Sequence, residues 1–331
     1  MLLSVVIPTK NRPIPVAETV RSVFANSYQN FEVFVVDQSE SNQTRDALSI
    51  YFRDSRFHYL RNSKTGAGSS RNVGIALSRG EVVAITDDDV TVNQNWLELI
   101  AAEFSNDPKL EFVCGALTAP PYDRSAGYTP EFWPHPALKD WQMPFKVAGA
   151  NMSMRRTLFD TVGGFDELSG PGAKLTISDD GDIAFRIMRS GAKWKGCADI
   201  EVVHTYGFRP TGPAEALKTS YIDGLSANFG RFARRGDVKA TLFYGAQEVL
   251  HLLKALWSAI RGEGTEKLAT VRAELRGFWR GFCNNPNEGM ISGGELREMQ
   301  ATLLQDDCRL ASVLKGESYV RLGTQTPVAA R

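Results

Sequence analysis

The sequence has little cysteine and no long apolar run, and these absences exclude several classes of protein. Its four cysteines, Cys114, Cys197, Cys283 and Cys308, lie far apart and form no C-x-x-C pair. We therefore expect neither a disulfide framework nor a structural zinc site, and we expect a reducing compartment. No uncharged apolar stretch reaches the roughly 18 to 20 residues of a membrane span, and the first apolar run is too short for the core of a signal peptide. A cytoplasmic protein is the expectation.

The chain also lacks a net charge. Its 38 Lys and Arg residues balance 38 Asp and Glu residues, so it lacks the electrostatic signature of a nucleic-acid-binding protein, and no nucleic acid partner is expected. The hydrophobic share of 43% is that of a globular protein, so we expect no long disordered segments. At roughly 150 residues per domain, the length predicts two domains, or one large domain with an extension.

Buried strands and helices alternate along the first hundred residues. Continuous apolar runs rich in β-branched residues predict strands at 2–7, 31–36, 57–60 and 81–86. Helical periodicity predicts helices at 16–26, 44–53, 69–78 and 96–104. This alternation is typical of a parallel sheet with helices on both faces.

Polar residues follow the ends of the predicted strands, at 9–12, 37–39 and 87–89. In open α/β sheets the ligand binds at the carboxyl ends of the strands, so topology alone gathers these polar groups along one edge. The most distinctive group is Asp87, Asp88 and Asp89, directly after an apolar strand. Three adjacent carboxylates indicate either a solvated loop that caps the next helix or a site for Mg²⁺ or Mn²⁺, whose preferred ligands are carboxylates, water and phosphate.

Five segments, taken in order, resemble the motifs of the family 2 glycosyltransferases, which have the GT-A fold. The resemblance extends over residues 3–207, about two-thirds of the chain. The segments are SVVIPTKNRP (4–13), VFVVDQSES (33–41), GAGSSRNVGIALSRGEVVAITDDDV (66–90), GANMSMRRTLFDTVGGFDE (149–167) and SDDGDIAFRIMRSG (178–191). We therefore expect an α/β fold of the GT-A type, a doubly wound, Rossmann-like mixed sheet, in a catalytic domain spanning 1–215.

The resemblance implies that the donor is a nucleoside-diphosphate-sugar, with a UDP-sugar favoured. Asp37 matches the aspartate that recognises the base in the family, whereas Gln38 replaces the usual second aspartate. Arg71 matches the arginine of an A-R-N motif near the nucleotide, although a helix-surface arginine is the alternative interpretation. The full set of expected donor-binding residues is Pro8, Thr9, Arg12, Asp37, Arg71, Asp87, Asp88 and Asn151.

The resemblance also implies a divalent cation, Mn²⁺ or Mg²⁺, that neutralises the departing diphosphate. Asp89 is expected to contact the metal, and Asp87 to contact the ribose or a metal-bound water. His204, at the end of another apolar strand, stands where many relatives complete the metal shell, and an imidazole suits Mn²⁺ better than Mg²⁺.

Asp179 and Asp180 match the family's acceptor-side acidic motif, and the resemblance implies an inverting reaction. Asp180 is our choice for the general base that takes a proton from the acceptor hydroxyl, a role worth about 10²- to 10⁴-fold in rate. Spacing does not decide between the two aspartates. A helix cap built from Ser178 and Asp179 is the alternative interpretation.

The proline-rich segment 118–146 shows no clear period and predicts a long irregular loop. Its Trp133, His135 and Trp141, and later Trp194, could stack on sugar rings, although aromatic residues of this kind are more often core residues.

From 216 to 331 helical periods dominate. Residues 218–282 hold 11 Lys and Arg against 6 Asp and Glu. In a predicted helix at 242–261 most residues are apolar, and the polar ones fall on one narrow stripe. Residues 240–282 therefore suit peripheral contact with the inner face of the cytoplasmic membrane, near a lipid-linked acceptor. An ordinary helical region or a homodimer interface is the alternative.

Together these patterns predict a metal-assisted inverting glycosyltransferase of polysaccharide or glycolipid synthesis, acting on a saccharide or lipid-linked acceptor. Two rivals stay open at this point. A sugar-nucleotide pyrophosphorylase would need a glycine-rich loop after the first strand, where this chain has TKNRP. A non-catalytic sugar-nucleotide-binding scaffold would have no need of the two acidic groups.

Overall fold

The computed structural model describes residues 1–134, 147–175, 178–262, 266–305 and 320–322. The strands in chain order are β1 Leu3–Thr9, β2 Phe31–Asp37, β3 Phe57–Asn62, β4 Val82–Ile85, β5 Thr91–Val92, β6 Phe112–Thr118, β7 Gly127–Tyr128, β8 Met152–Arg155, β9 Trp194–Val203, β10 Arg209–Pro210 and β11 Val320–Leu322. The helices are α1 Pro13–Phe24, α2 Gln43–Ala47, α3 Ala67–Leu77, α4 Trp96–Asn106, α5 Leu158–Val162, α6 Asp179–Ser190, α7 Thr211–Arg234, α8 Val238–Ile260, α9 Glu266–Cys283 and α10 Gly293–Gln305.

Nine of these strands form one mixed sheet in the order β11-β3-β2-β1-β4-β8-β6-β9-β5. From β3 to β4 neighbouring strands run parallel, because helices α1 and α3 carry the chain back between them. Beyond β4 the direction changes, since β8 runs antiparallel to both β4 and β6. The predicted strands and helices of the first hundred residues are thus present, except that the helix predicted at 44–53 is the short α2 followed by a 3-10 turn at Ser49–Tyr51. The predicted mixed α/β fold is confirmed.

Helices cover the sheet on both faces, as the continuous apolar strands require. In one hydrophobic core, α1 and α4 pack against alternate residues of the central strands, and Trp96 is fully buried. The other places α3, α6 and α10 against the opposite face, where Phe34 and Ile183 pack. The edge along which β1 and β4 end is left free for polar residues.

The C-terminal helices pack both on one another and on the α/β core. Helix α7 begins at Thr211, before the predicted division at 215, and packs against α8 and α9. Helix α10 returns to α3 and α5 and adds Leu296 and Leu303 to the second core. The division into two domains therefore stays a prediction. In the part of the chain that the structure describes, no helix combines the length and apolar character needed to span a bilayer.

Helix α8 turns its apolar residues outward. The side chains of Tyr244, Ala255 and Ser258 are buried toward the neighbouring helices. The outward face, called here the apolar face of α8, is 42–80% exposed and consists of Leu242, Val249, Leu250, Leu252, Leu253, Leu256, Trp257 and Ile260. Of the predicted polar stripe, Ser258 is buried, Gln247 and His251 are partly buried, and Lys254 and Arg261 are exposed.

Candidate active site

A cleft with a cavity volume of about 390 Å³ opens at the carboxyl ends of β1 and β4. Its floor carries the three aspartates that follow β4, and its walls come from distant parts of the chain. Four cationic side chains surround the aspartates: Lys10, Arg12, Arg71 and Arg209. The predicted donor-binding residues Pro8 and Thr9 also line this cleft.

Asp88 and Asp89 are held by the end of β1 and by the loop after it. Oδ2 of Asp88 accepts a hydrogen bond from Thr9 Oγ1 at 2.7 Å. Arg12 Nη1 lies 2.9 Å from Asp88 Oδ1 and 2.8 Å from Asp89 Oδ2. Both aspartates are only 6% exposed, so a solvated loop does not describe them. Burial, together with the neighbouring Asp89, raises the pKa of Asp88 to about 6 against the opposing charge of Arg12.

His204, which follows β9, reaches the other oxygen of Asp89. Its Nε2 lies 3.4 Å from Asp89 Oδ1, and its Nδ1 lies 3.3 Å from the carbonyl oxygen of Pro130. A backbone carbonyl at Nδ1 favours a proton there and leaves Nε2 directed at the carboxylate. Burial works against ionisation of Asp89, but the hydrogen bond and charge of His204, with Arg12, lower the pKa of Asp89 to about 2.

All three predicted metal ligands lie in this cleft: Asp89 and His204 are in contact, and Asp87 pairs with Arg71. A single carboxylate with an imidazole still fits Mn²⁺, because such sites take their remaining ligands from water and phosphate. The donor set present in this cleft therefore suits a metal–diphosphate better than a metal held by protein alone.

Arg71 connects the acidic triplet to the second acidic motif. Its Nη2 donates to Asp87 Oδ1 at 2.7 Å, and its Nη1 donates to Asp179 Oδ2. The residue is 4% exposed, so it is not a helix-surface arginine. Its guanidinium lies between the two carboxylates, and α3 therefore places one cation at the meeting point of both acidic motifs.

Asp179 and Asp180 begin α6 and differ in their surroundings. Asp179 is buried and ion-paired, and burial raises its pKa to about 7 although Arg71 opposes the change. Asp180 is partly exposed and accepts hydrogen bonds from the backbone N–H of Gly149 at 3.2 Å and of Gly181 at 2.8 Å. Burial also raises the pKa of Asp180. The preceding Ser178 has a φ of 135° and makes no side-chain cap hydrogen bond, so a simple serine cap does not explain this turn.

Two predicted donor-binding residues lie outside the cleft. Asp37 is fully buried, and its carboxylate accepts hydrogen bonds from Ser39 and Tyr59; the adjacent Gln38 lines the cleft instead. Asn151 is 1% exposed and serves the sheet. Its amide donates to the carbonyl oxygens of Ala116 and Ile200, and its oxygen accepts from Trp96 Nε1. These bonds tie Asn151 to β6, β9 and α4, and its contact with the donor sugar stays a prediction.

The expected stacking aromatics do not line the cleft where they are described. Trp133 is 59% exposed, and Trp194 is partly buried against the second core. His135 and Trp141 fall outside the described residues.

Among the polar residues of the cleft, Arg209 and Tyr221 were not predicted from the sequence. Lys10 lies in the expected polar group 9–12 but was given no role, and no motif marked Arg209. Tyr221 lies on α7, in a region that the sequence assigned to membrane or dimer contact. Burial, and then the charges of Asp180 and Asp87, raise the pKa of Tyr221. Its helical spacing in the sequence gave no signal for this position.

The sheet, the cleft at its carboxyl edge and the acidic motifs define a GT-A fold. A mannosyltransferase from Pyrobaculum calidifontis, solved with GDP-Man and Mn²⁺, superposes with a TM-score of 0.56 at 18% identity, over 95% of this chain and 85% of that one. The model of the family "Glycosyl transferase family 2" matches residues 4–164. Residues 4–164 of this chain, just under half of its length, thus match the family 2 glycosyltransferases.

The names of two curated relatives mention lipid-linked sugars. A glucosyl-dolichyl phosphate glucuronosyltransferase of Haloferax volcanii is 29% identical over 52% of this chain and 58% of its own length. The Escherichia coli UDP-Glc:alpha-D-GlcNAc-diphosphoundecaprenol beta-1,3-glucosyltransferase WfgD is 31% identical over 30% of this chain and 39% of its own length. The chain thus spans less than two-thirds of these relatives.

Proposed function

We propose that this protein transfers a sugar, with inversion, from a nucleoside-diphosphate-sugar to an acceptor hydroxyl. The observation that carries the proposal is the position of Arg71 between Asp87 and Asp179. Arg71 connects the cleft, which suits a metal–diphosphate, to a second pair of carboxylates, and one member of that pair is the candidate base. The match to the family favours this activity over that of a pyrophosphorylase.

The diphosphate of the donor is proposed to lie among the cations of the cleft. Lys10 is exposed, and Arg12 is 42% exposed at its side chain, so both can reach a bound ligand. Arginine and lysine bind phosphate oxygens by charge-assisted hydrogen bonds. A UDP-sugar is favoured as donor.

Asp89 and His204 would hold a divalent cation, with Mn²⁺ preferred because one ligand is an imidazole. When bound, the ion supplies positive charge that offsets the charge developing on the leaving diphosphate. Arg12 already contacts Asp89, so the same arginine keeps this carboxylate ionised and directed into the cleft.

Asp180 is proposed as the general base, and Asp179 as the residue that positions Arg71. Asp180 is partly exposed and has no ion-pair partner within 4 Å in the described part of the chain, whereas Asp179 is buried in its pair with Arg71. In a single step the acceptor oxygen attacks the anomeric carbon, its proton passes to a carboxylate oxygen of Asp180, and the bond to the diphosphate breaks. A raised pKa suits a base that works near neutral pH.

A thermal-shift screen of nucleotide-sugars, with and without Mn²⁺, tests donor binding. With the donor found, Asp180→Asn should keep the donor- and Mn²⁺-dependent shift and lose transfer by about 10²- to 10⁴-fold. Asp123→Asn, in an exposed loop, is the matched control and should keep both. Undiminished transfer by the Asp180→Asn variant would remove the proposed base.

A non-catalytic sugar-nucleotide-binding scaffold is the remaining second candidate. It would give the same thermal shift but no turnover. Slow Mn²⁺-dependent hydrolysis of the bound nucleotide-sugar, abolished by Asp89→Ala, favours a catalyst even before an acceptor is known.

The acceptor is proposed to be carried by a lipid, with the apolar face of α8 resting on the membrane surface. Eight large apolar side chains are exposed on this face, more than a helix that meets only water would show. Lys254 and Arg261 are exposed beside it, and the Arg261 guanidinium lies 4.6 Å from the centre of the Trp257 ring. This combination suits an anionic bilayer surface.

Co-sedimentation with anionic vesicles at low salt tests this contact. The parent protein should bind, and Leu253→Asp with Trp257→Asp should reduce binding strongly. Ile50→Asp, at a 78% exposed position on another surface, should bind like the parent. Failure to bind vesicles together with a concentration-dependent dimer would assign the apolar face of α8 to a second copy of the chain.

A further inference from the structure

A second group of metal-ligand side chains lies in the helical region, apart from the cleft. It consists of Glu248 and His251 on α8 and Glu274 on α9, and their ligand atoms all lie within 4.8 Å of one another. The spacing Glu-x-x-His places the first two side chains on one face of α8. His251 Nδ1 lies 2.8 Å from Glu274 Oε1, so the group spans the interface of the two helices. We call it the α8–α9 trio.

The carboxylates of the trio are incompletely satisfied. Glu274 is 7% exposed, and its Oε2 is buried without a hydrogen-bond partner; the Oε2 of Glu248 is in the same state. In the described part of the chain, neither carboxylate has a Lys or Arg within 4 Å. Glu274 is buried and Glu248 is partly buried, so the two neighbouring carboxylates repel each other and each pays a cost of desolvation. This repulsion contributes, after burial, to raising the pKa of Glu248 to about 7.

We propose that the α8–α9 trio binds a divalent transition-metal ion, with zinc as the best match. One imidazole and two carboxylates form a ligand set that Zn²⁺ accepts, and three protein ligands leave a fourth position for water. A cation at this point would engage the unpartnered oxygens and offset the repulsion between the two glutamates. Because the ligands come from two helices, the ion would fix α8 on α9 and so set the direction of the apolar face of α8.

The competing explanation is a simple ion pair of His251 with Glu274, beside a protonated Glu248. The two explanations differ in the response to metal. An ion pair gains nothing from Zn²⁺, whereas a metal site is destabilised without it and stabilised with it.

The first test measures bound zinc in the full-length chain after chelation, reloading with Zn²⁺ and dialysis. The variant Asp89→Ala/His204→Ala, which lacks the proposed ligands in the cleft, should retain about one equivalent of zinc per chain. Adding Glu274→Gln should remove that equivalent, and adding Glu298→Gln, at an exposed position of α10, should not. Equal zinc content with and without Glu274→Gln would overturn the proposal.

The second test compares melting temperatures, which do not depend on transferase activity. In the chelated protein Glu274→Gln should melt at the same temperature as its parent or higher, since one of two repelling charges is gone. With Zn²⁺ present the parent should become more stable than Glu274→Gln. The milder variant His251→Gln should likewise gain no melting temperature from Zn²⁺. If Glu274→Gln lowers the melting temperature equally with and without Zn²⁺, the trio is only an ion pair and the proposal fails.

Discussion

Arg71 donates a hydrogen bond to Asp179, 108 residues away along the chain, and both side chains are almost fully buried. The pair joins α3 to the first turn of α6 and leaves the second guanidinium nitrogen for Asp87 in the cleft. Arg71 therefore has two effects. Its charge favours the ionised form of Asp179, which burial disfavours, and the pair fixes the first turn of α6, which carries the proposed base.

The first prediction concerns this pair. Arg71→Met should lower the free energy of unfolding by about 3–5 kcal/mol, because it leaves Asp179 buried without its partner. Asp179→Asn in the same chain should recover part of the loss, with a coupling energy of about 0.5–3 kcal/mol. Denaturant unfolding of the two single variants and the double variant measures both quantities.

Lys193→Met is the control for that cycle. Its pair with Asp107 is exposed to solvent, so its loss should cost far less than the loss of the buried Arg71 pair. Equal losses from Lys193→Met and Arg71→Met would contradict the central role given to the buried pair.

The second prediction concerns Asp89 and His204. Asp89→Ala and His204→Ala should each lower the Mn²⁺-dependent turnover of the nucleotide-sugar by about 10²- to 10³-fold, the effect of losing several kcal/mol of charge stabilisation. Titration with Mn²⁺ should show weaker metal binding in both variants. Asp123→Ala supplies the control. Full turnover by either cleft variant together with an unchanged affinity for Mn²⁺ would show that its side chain is not a ligand.

The third prediction concerns the close packing of α7 on α9. A Cβ added at Gly281 would lie 1.8 Å from the carbonyl oxygen of Ala227, so Gly281→Ala forces the helices apart. We expect a loss of about 3 kcal/mol in the free energy of unfolding.

Gly245→Ala is its matched control in α8, where an added Cβ meets no atom within 4 Å. It should stabilise the protein by about 0.5–1 kcal/mol, because alanine loses less backbone entropy than glycine in a helix. Urea unfolding of the two variants gives the comparison, and opposite signs are the expected outcome.

The fourth prediction concerns pH and the buried His58. The ring stacks on Phe34 with centroids 4.6 Å apart, and neither of its nitrogens has a hydrogen-bond partner. Burial lowers its pKa from 6.5 to about 4, with Glu32 opposing the change and Arg79 adding to it. Between these values the unfolded chain binds a proton that the folded chain does not, so stability falls as pH drops below 6.5.

From pH 7 to pH 5 this linkage should make the change in unfolding free energy about 2 kcal/mol less favourable in the parent than in His58→Phe. Chemical unfolding of both proteins at both pH values measures that difference, because the buried carboxylates with a raised pKa titrate alike in the two proteins and cancel. Parallel losses in the parent and in His58→Phe would show that the histidine is not responsible.

The sequence by itself determined the central strands and the position of the acidic triplet. A continuous apolar run such as 31–36 predicts a buried parallel strand, because helices cover both faces of such a strand and leave no side chain in water. The carboxyl end of each strand then follows from chain direction alone. For the same reason Thr9 and Asp88 could be expected at one edge before any contact between them was known.

Only the tertiary structure decided which polar groups work inside the cleft. Asn151 binds three partners from β6, β9 and α4, and its motif in the sequence does not show that those partners exist. Tyr221 enters the cleft because α7 packs back on the sheet domain, and α8 turns its apolar face outward because His251 and Ser258 face the other helices. Local patterns fix periodicity, whereas long-range packing selects the surface that each side chain meets.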